Sequence, residues 1–205
     1  MKRLMNYTLA GLVIVAALGF AYVMKFGLYP QFFDIAWDEE VKLHDGRVIV
    51  VHVKRTFERR DRFDRWLALD RDTEIAFDAG PPWGKFKRNF ERYDVTMIEQ
   101  KGSSWYFNLQ VTTGIPPKKL VDSAYPVLIL EKNAGERPAS SWADIPDFPR
   151  LNIMPVTPSP EGILPFADSL LTWDKKMSHW QRNPRAAGDN SLIIQRHTNQ
   201  QGEKK

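Results

Sequence analysis

The chain has 205 residues, of which 43% are hydrophobic and 12% aromatic, and this composition is typical of a folded protein with a core. It contains no cysteine, which excludes disulfides, thiolate catalysis, Fe–S clusters and cysteine-type zinc sites. The net charge is +4, but residues 1–28 supply three basic side chains and no acid. The rest holds 26 basic against 25 acidic side chains, a balance that argues against a nucleic-acid partner.

An apolar run without any charge covers residues 4–24, and Lys2 and Arg3 precede it. A helix of that length spans about 31 Å, enough to cross a hydrocarbon core of about 30 Å. The basic flank predicts a cytoplasmic N-terminus, with the remainder on the periplasmic side of the inner membrane. We therefore expect residues 1–29 to form a transmembrane signal-anchor. The alternative is a signal peptide cleaved within 17–21, which would release the domain into the periplasm.

A hairpin is the first element predicted in the domain, because Asp45-Gly46 lies between two strand-like runs. A two-residue turn would place Leu43 opposite Val48 and Glu39 opposite His52, where we expect a structural charge pair. Apolar residues on both faces of the second strand place it inside a sheet or sandwich. The apolar face of the hairpin would comprise Val41, Leu43, Val48 and Val50.

Further strands follow along the chain. Residues 54–65 are a mixed-charge run, interpreted as a long hairpin arm or a solvated loop. Strand patterns then cover 66–69, 73–77, 93–99, 105–112 and 126–130, with the fourth and fifth of these runs starting after turn-forming residues. The acidic cluster of Asp70, Asp72 and Glu74 lacks the ligand number and the glycine of a calcium loop, so we interpret it as a solvated turn.

One helix is predicted late in the chain, over Phe166–Gln181, where apolar residues recur at four- and three-residue spacing. Before it, residues 138–165 hold seven of the fourteen prolines, so they form a wrapping loop, in which 151–154 could pair at a sheet edge. A short last strand is expected at 192–194. Together these patterns predict a mainly β, antiparallel, sandwich-like domain over 34–197 with one late packing helix, and a disordered tail over 198–205.

Trp37–Val51, with the sequence WDEEVKLHDGRVIVV, resembles the start of the folded part in a family of uncharacterised proteobacterial envelope proteins. The order of later features is also similar, namely a hydrophobic hairpin near Trp105–Val111, a Tyr-Pro-Val strand near Tyr125–Leu130 and an Ile-Pro step near Trp142–Pro146. The resemblance covers about residues 37–154. It implies an envelope location and carries no assigned activity.

No local motif predicts catalysis, a cofactor or a metal. The sequence lacks the nucleophile-elbow, phosphate-loop and zinc-protease patterns, and its four histidines do not pair at helical metal-ligand spacing. We therefore predict no catalytic, cofactor-binding or metal-binding residues. The protein is more consistent with a non-enzymatic module than with an enzyme.

Basic and aromatic side chains alternate over residues 83–92, a pattern that suits a glycan, a phosphate backbone or an anionic lipid surface. Core aromatics flanked by solvated charges are the more frequent explanation of such a pattern. The possible interaction surface comprises Trp83, Lys85, Phe86, Lys87, Arg88 and Arg92. The leading hypothesis is a membrane-anchored periplasmic module that binds an envelope partner such as a protein. The alternatives are a small glycan or peptide hydrolase and attachment to anionic lipid through 83–92.

Overall fold

A computed structural model of the chain describes residues 13–22, 31–59, 68–112, 116, 118–148, 152–153, 165, 167 and 169–182. These residues form two helices, one short 3-10 turn at Trp142–Asp144 and two β-sheets. The helices are α1 at residues 13–22 and α2 at Trp173–Arg182. The strands are β1 Gln31–Lys42, β2 Val48–Arg59, β3 Ala68–Asp78, β4 Lys85–Glu91, β5 Tyr93–Lys101, β6 Ser104–Val111, β7 Val127–Glu131, β8 Gly135–Pro138 and β9 Leu170–Leu171.

The two sheets are almost wholly antiparallel. The first has the strand order β4-β3-β2-β1-β9, in which only the short β9 runs parallel to its neighbour β1. The second has the order β5-β6-β7-β8, and each strand pairs with the next one in the chain. Short turns that contain glycine connect β1 to β2 and β5 to β6, whereas the β6–β7 connection covers residues 112–126. The predicted mainly β, antiparallel fold class is confirmed.

Aromatic side chains fill the space between the sheets. The ring of Phe77 lies 4.8 Å from that of Trp105 between centroids, and Phe107 lies 5.2 Å from Phe86 and 5.7 Å from Phe90. These contacts join β3 and β4 of the first sheet to β6 of the second. Five large rings at these distances exclude water from the interface, so their burial supplies much of the force that holds the sheets face to face.

The β1–β2 turn is one residue longer than predicted. Leu43 N–H donates to the Arg47 carbonyl at 2.8 Å, and Gly46 N–H donates to the Leu43 carbonyl at 3.0 Å. The loop therefore contains the three residues His44–Gly46. Gly46 has φ of +91°, a left-handed conformation that glycine adopts without strain and that closes three-residue hairpin loops.

The longer loop shifts the register of the hairpin by one residue, and a shift by one moves every side chain to the other face. Asp38, not Glu39, is opposite His52. Val41 of β1 and the adjacent Leu43 are buried as predicted. Val48 and Val50, however, are 51% and 52% exposed, so the predicted apolar face is wrong for β2. The buried face of β2 carries Val51, Val53, Arg55 and Phe57.

The second predicted hairpin is confirmed as β5 and β6, with Lys101 opposite Ser104. Its predicted alternation holds only in part, because a β-bulge interrupts the pairing between Val95 and Met97. Val95 belongs to the core between the sheets, whereas Met97 packs on Phe148 outside it. The two clusters cover opposite sides of β5, and the first seven residues of the strand are buried.

Two other predicted elements are corrected. Residues 68–69 and 73–77 belong to one strand, because β3 runs unbroken over Ala68–Asp78, and residues 66 and 67 lie outside the described residues. Helix α2 begins at Trp173 and not at Phe166, since Leu170–Leu171 form β9 against β1. The helix thus has ten residues, against sixteen in the predicted range 166–181, and its apolar stripe packs on the first sheet through Trp173, Met177 and Trp180.

The structure describes only part of the N-terminal apolar run. Helix α1 covers residues 13–22, and all its side chains are exposed. Within the described ranges, no helix combines the length and the hydropathy needed to cross a membrane. Residues 4–12 and 23–24 of the run, the strand predicted at 192–194 and the tail at 198–205 lie outside the described residues.

Strand pairing places several strand ends at one end of the sandwich. Gln31, the first residue of β1, pairs with Arg59, and Arg59 pairs with Ala68. At the same end, the β4–β5 turn bonds to β3, and Tyr93 pairs with Val111. We call this end, defined by these five residues, the N-terminal end of the sandwich. The His44–Gly46 loop is at the opposite end.

Candidate functional site

The basic and aromatic residues of the possible interaction surface are divided between two faces. They lie mainly on β4, and successive side chains of a strand point to opposite sides. Lys85 and Lys87 are exposed, and Lys87 pairs with Glu74 at 3.0 Å. Phe86 turns inward and stacks on Phe107. The alternation along β4 therefore separates Lys85 and Lys87 from the ring of Phe86.

The other predicted surface residues are also held by the fold. Arg88 points inward, where its side chain is 17% exposed, forms an ion pair with Glu136 of β8 and lies over the ring of Phe90. Burial lowers the pKa of Arg88. Trp83 is half-buried against the core. Arg92 forms the β4–β5 turn with φ of +58°. The structure does not gather the six residues on one surface.

Three buried charged side chains link the two sheets, and we call them the inter-sheet cluster: Arg55, Asp70 and Asp94. Arg55 of β2 is fully buried and donates to Asp70 of β3 at 2.8 Å and to Asp94 of β5 at 2.5 Å. Burial opposes its charge, but the two carboxylates outweigh burial and raise the pKa of Arg55. Burial raises the pKa of Asp70 to about 6, because Arg55 offsets only part of the desolvation.

The acidic residues predicted as a solvated turn are therefore part of a strand. Asp70, Asp72 and Glu74 all belong to β3. Asp70 is buried against Arg55, whereas Glu74 faces solvent beside Lys87. The prediction was wrong because polar residues at alternate positions of a strand were taken for a loop. No group of three or more metal-ligating side chains is close enough to hold an ion within the ranges that the structure describes.

A second buried set, the edge network, comprises Glu39, His44, Glu99, Asn152 and Lys176. Lys176 of α2 is fully buried, and its Nζ lies 3.3 Å from a Glu39 carboxylate oxygen. The same ammonium donates to the carbonyls of Glu40 at 2.8 Å and Asn152 at 2.7 Å. Burial lowers the pKa of Lys176, and Glu39 opposes that effect. These bonds hold α2 on β1.

Asn152 completes the free edge of β5 with its side chain. Its Oδ1 accepts from Ile98 N–H at 2.9 Å, and its Nδ2 donates to the Ile98 carbonyl at 2.7 Å, as a neighbouring strand would. Residues 151–154 were predicted to pair at an edge. The structure describes two of them, 152 and 153, and both backbone N–H groups donate to Thr96 of β5.

The two histidines near this network have different partners. His44 Nδ1 lies 2.9 Å from Glu99, whose carboxylate is buried, and burial raises the pKa of Glu99. His52 lies on the exposed face of the hairpin, with Nδ1 2.7 Å from Asp38. The predicted His52–Glu39 pair is therefore wrong, because the three-residue loop shifts the register and places Asp38 opposite His52. Glu39 accepts instead from Trp37 Nε1 at 3.1 Å and faces Lys176.

A cleft of about 560 Å³ opens at the N-terminal end of the sandwich, and its volume lies within the range of small-molecule sites. Its wall comes from β5, β6 and the connection between β6 and β7. Its lining includes Tyr93, Asn108, Leu109, Val111, Val121 and Pro126. The Tyr93 hydroxyl accepts from Leu120 N–H at 3.2 Å, which ties the connection to β5.

The cleft is mostly apolar, and a buried amide lies in the strand that forms part of its wall. Asn108 is 1% exposed, and its Nδ2 donates to Thr96 Oγ1 at 2.6 Å. Its Oδ1 is buried and has no hydrogen-bond partner within the described part of the chain. Among the described lining residues, Lys119 is the only one with a charge, and none is Asp, Glu or His. Such a lining can bind a ligand, and its described residues include no pair of carboxylates.

Sequence reasoning did not find this cleft. Its lining comes from three separate stretches of sequence, and apolar strand residues such as Leu109 and Val121 give the same pattern as ordinary core. A weak signal was the single asparagine at 108 within the hydrophobic run 105–109. A buried amide in such a strand needs partners, which the sequence does not identify.

Comparison of the chain with protein-family models, with curated proteins and with solved structures finds no match. The resemblance to proteobacterial envelope proteins over residues 37–154 therefore stays a prediction.

Proposed function

We propose that this chain is a membrane-anchored binding module of the bacterial cell envelope, with its β domain in the periplasm and its binding site in the cleft. The observation that carries the proposal is the cleft of about 560 Å³, lined mostly by apolar and uncharged polar side chains, with Lys119 as the charged residue among those described. Pockets with mainly apolar walls and a few polar groups are the usual form of ligand-binding sites.

The anchor rests on the apolar run 4–24 and on the charges that flank it. The described part of this run, α1, is helical, and its apolar side chains are exposed, for example Phe20 at 68% and Val15 at 70%. Exposed apolar residues on all sides of a helix favour a location in lipid or against a partner. This observation supports the anchor.

The buried charges support binding over hydrolysis. A glycan or peptide hydrolase with paired acids needs two carboxylates that converge on a substrate cleft. Asp70 and Asp94 do come together, but both bond to Arg55 in the interior, and neither lines the cleft. Glu39 and Glu99 are likewise buried, beside Lys176 and His44. These acids have structural partners, and none of them is among the lining residues of the cleft.

A pair of reporter fusions tests the proposed location. Alkaline phosphatase, which is active only outside the cytoplasm, is fused after Lys205 of the full chain, and a cytoplasm-active reporter is fused at the same site in parallel. We expect phosphatase activity and retention of the fusion in the membrane after carbonate extraction. Activity of the cytoplasmic reporter would contradict the orientation. Release by carbonate would contradict the anchor and favour the cleaved signal peptide.

The proposed binding site is tested by site-specific crosslinking in living cells. A photoreactive amino acid replaces Val111 at the rim of the cleft, or Val50 on the outer face of the first sheet as a control, since the two valines are 53% and 52% exposed. We expect a discrete crosslinked envelope component at Val111 and none at Val50. Equal or absent crosslinking at both positions would count against the cleft as the binding site.

A further inference from the structure

Strand β4 forms one edge of the first sheet, since it pairs with β3 and with no other described strand. The turns at its two ends fix which backbone groups face β3. Ala79 N–H donates to the Gly84 carbonyl at 2.8 Å at one end. Arg92 N–H donates to the Arg71 carbonyl at 2.7 Å at the other end. Because hydrogen-bonded pairs recur at every second residue of an antiparallel ladder, the N–H and C=O groups of the intervening residues point away from β3. These residues are Lys85, Lys87, Asn89 and Glu91.

This edge of the sheet borders open space. The four residues that present their backbone to it all have exposed side chains. A groove of about 160 Å³ lies beside the second half of the strand, and Lys118 and Leu120 of the β6–β7 connection form its other wall. An edge strand with this exposure can accept a further strand through its backbone.

The charges of β4 identify a second copy of the same strand as the partner that fits. Lysines on an edge strand usually prevent its pairing with another strand, but β4 also carries Glu91. An antiparallel pair with a two-fold axis at Arg88 brings all four outward-facing residues into register. Lys85 is then opposite Glu91 of the second copy, and Lys87 is opposite its Asn89. A slip of two residues either places Lys87 opposite itself or leaves Lys85 without an outward-facing residue to pair with.

The inward-facing side chains of β4 do not oppose this pairing. Arg88 meets its own copy at the axis, but each Arg88 forms an ion pair with Glu136 of its own chain, which compensates the like charges. Phe86 and Phe90 are held in their own core by contacts with the ring of Phe107. The pairing therefore requires no change in the core of either copy.

We infer that two copies of this chain associate through β4 and join their first sheets into one continuous sheet. The contact comprises roughly eight backbone hydrogen bonds, two at each hydrogen-bonded residue pair, with a Lys85–Glu91 ion pair on each side of the axis. A contact this small is weak between free proteins, whereas chains held in one membrane meet at a higher effective concentration. The inference therefore rests on the anchor in the proposed function, but it does not involve the cleft.

The two-fold axis is compatible with two chains in one membrane. The axis is perpendicular to the joined sheet, so it is normal to the membrane when the sheet lies parallel to the membrane surface. The connection from Met24 to Gln31 has seven residue steps and reaches at most about 25 Å, which exceeds the roughly 10 Å between two packed sheets. Both anchors can thus enter the membrane on the same side of the dimer.

Thiol crosslinking tests the pairing and its register, because the chain contains no cysteine of its own. Two differently tagged full-length copies are co-expressed, one with Lys85→Cys and the other with Glu91→Cys. Isolated membranes are treated with a bifunctional thiol reagent that spans about 5 Å, the separation of directly opposite side chains. We expect at least about tenfold more crosslinking than between two Lys85→Cys copies, whose thiols would be roughly 20 Å apart. Equal yields from the two combinations, or no crosslink in either, would overturn the inference.

Charge reversal tests the ion pair, with Lys87→Cys in one copy and Asn89→Cys in the other as the crosslinking pair. Lys85→Glu in both copies places carboxylates opposite each other and should lower the yield at least about threefold. Adding Glu91→Lys restores opposite charges and should recover the yield. Lys101→Glu, at an exposed lysine of β5, is the matched control and should leave the yield unchanged. A yield that is insensitive to Lys85→Glu, or one that the double reversal does not recover, would contradict the proposed register.

A proline tests whether the backbone of β4 forms the contact. Asn89→Pro removes an N–H that points away from β3, as edge prolines do, and should lower the Lys85→Cys to Glu91→Cys crosslink several-fold. Asn89→Ala keeps this N–H and should leave the crosslink unchanged. Thermal melts confirm that each variant is folded. Equal crosslinking in the proline and alanine variants would refute pairing through the strand backbone.

Failure of this inference and failure of the proposed function are distinguishable. A cytoplasmic C-terminal reporter would refute the proposed location, whatever the crosslinks at β4. Correct orientation and membrane retention, together with equal yields from the two thiol combinations, would refute the dimer alone.

Discussion

The two buried polar clusters of this domain hold different parts of it together and are built differently. The inter-sheet cluster consists of three charged side chains on strands, Arg55, Asp70 and Asp94, and it joins the sheets. The edge network fixes α2 and the 152–153 segment to β1 and β5, and it relies largely on backbone carbonyls and on the amide of Asn152. A cluster of ions depends on each member, because the loss of one leaves others buried and unpaired. A network with many neutral partners is expected to tolerate loss better.

The largest expected effect follows from removing the cation of the inter-sheet cluster. Arg55→Met leaves Asp70 and Asp94 buried without their shared guanidinium, and we expect the free energy of unfolding to fall by about 3–5 kcal/mol. Lys54→Met is the matched control, because Lys54 is the residue next to Arg55 and its ammonium pairs with Asp34 on the exposed face. Its loss should lower the free energy of unfolding by less than about 1 kcal/mol. Urea unfolding measures both. Equal losses of stability in the two variants would show that the buried Arg55 cluster contributes no more than the exposed Lys54–Asp34 pair.

The loss of Lys176 should have a smaller effect. Lys176→Met removes three polar contacts, but burial already disfavours the charged form of the lysine, as its lowered pKa indicates. We expect a loss of about 2–4 kcal/mol, from unpaired groups and the uncompensated Glu39 carboxylate. Lys175→Met, at the exposed neighbouring position, should change stability by less than about 0.5 kcal/mol. If Lys176→Met lowers the free energy of unfolding more than Arg55→Met does, the edge network tolerates loss less well than the inter-sheet cluster, contrary to the expectation.

The raised pKa of Asp70 gives the inter-sheet cluster a pH signature. The folded carboxyl titrates at about 6 against an ordinary value of 3.8. Between these values the folded state keeps a proton that the unfolded state has released, so this group lowers the free energy of unfolding as pH rises from 4 to 6. Since one pKa unit corresponds to about 1.4 kcal/mol, we expect a change of roughly 1–3 kcal/mol relative to Asp70→Asn. Parallel stability curves for the two proteins would contradict the assignment.

The smallest expected effects on stability come from replacing His44 and His52, and the two replacements should differ. His44→Gln weakens the contact with the buried Glu99 carboxylate and should cost about 1 kcal/mol, because the His44 backbone N–H and Asn152 continue to bond to Glu99. His52→Gln affects a pair whose two side chains are each about half exposed, and should cost less than about 0.5 kcal/mol. Thermal melts of both variants under the same conditions provide the comparison. A larger loss of stability in His52→Gln would show that the exposed His52–Asp38 pair contributes more than the His44–Glu99 pair.

Local patterns predicted the strands better than their pairing. The alternation of Trp105, Phe107 and Leu109 predicted a buried strand face, and all three side chains are buried. The Asp45-Gly46 pair correctly marked a hairpin. The register was wrong, because two- and three-residue loops share these residues and differ only in the backbone conformation around Gly46. The predicted helix was too long, because apolar spacing does not show where a chain turns to pair with β1.

The sequence by itself determined the fold class, the balanced charge of the domain, the exclusion of cysteine chemistry and the prediction of an N-terminal anchor. These depend on composition and on contacts between near neighbours. Only the tertiary structure decided which polar residues are buried. In the sequence Arg55 and Lys176 have the pattern of exposed cations, and the structure buries them beside Asp94 and Glu39. It also decided the cleft, because Tyr93, Asn108 and Val121 meet only when the strands pair and the β6–β7 connection folds over them. Long-range packing sets such proximities, and local sequence does not record them.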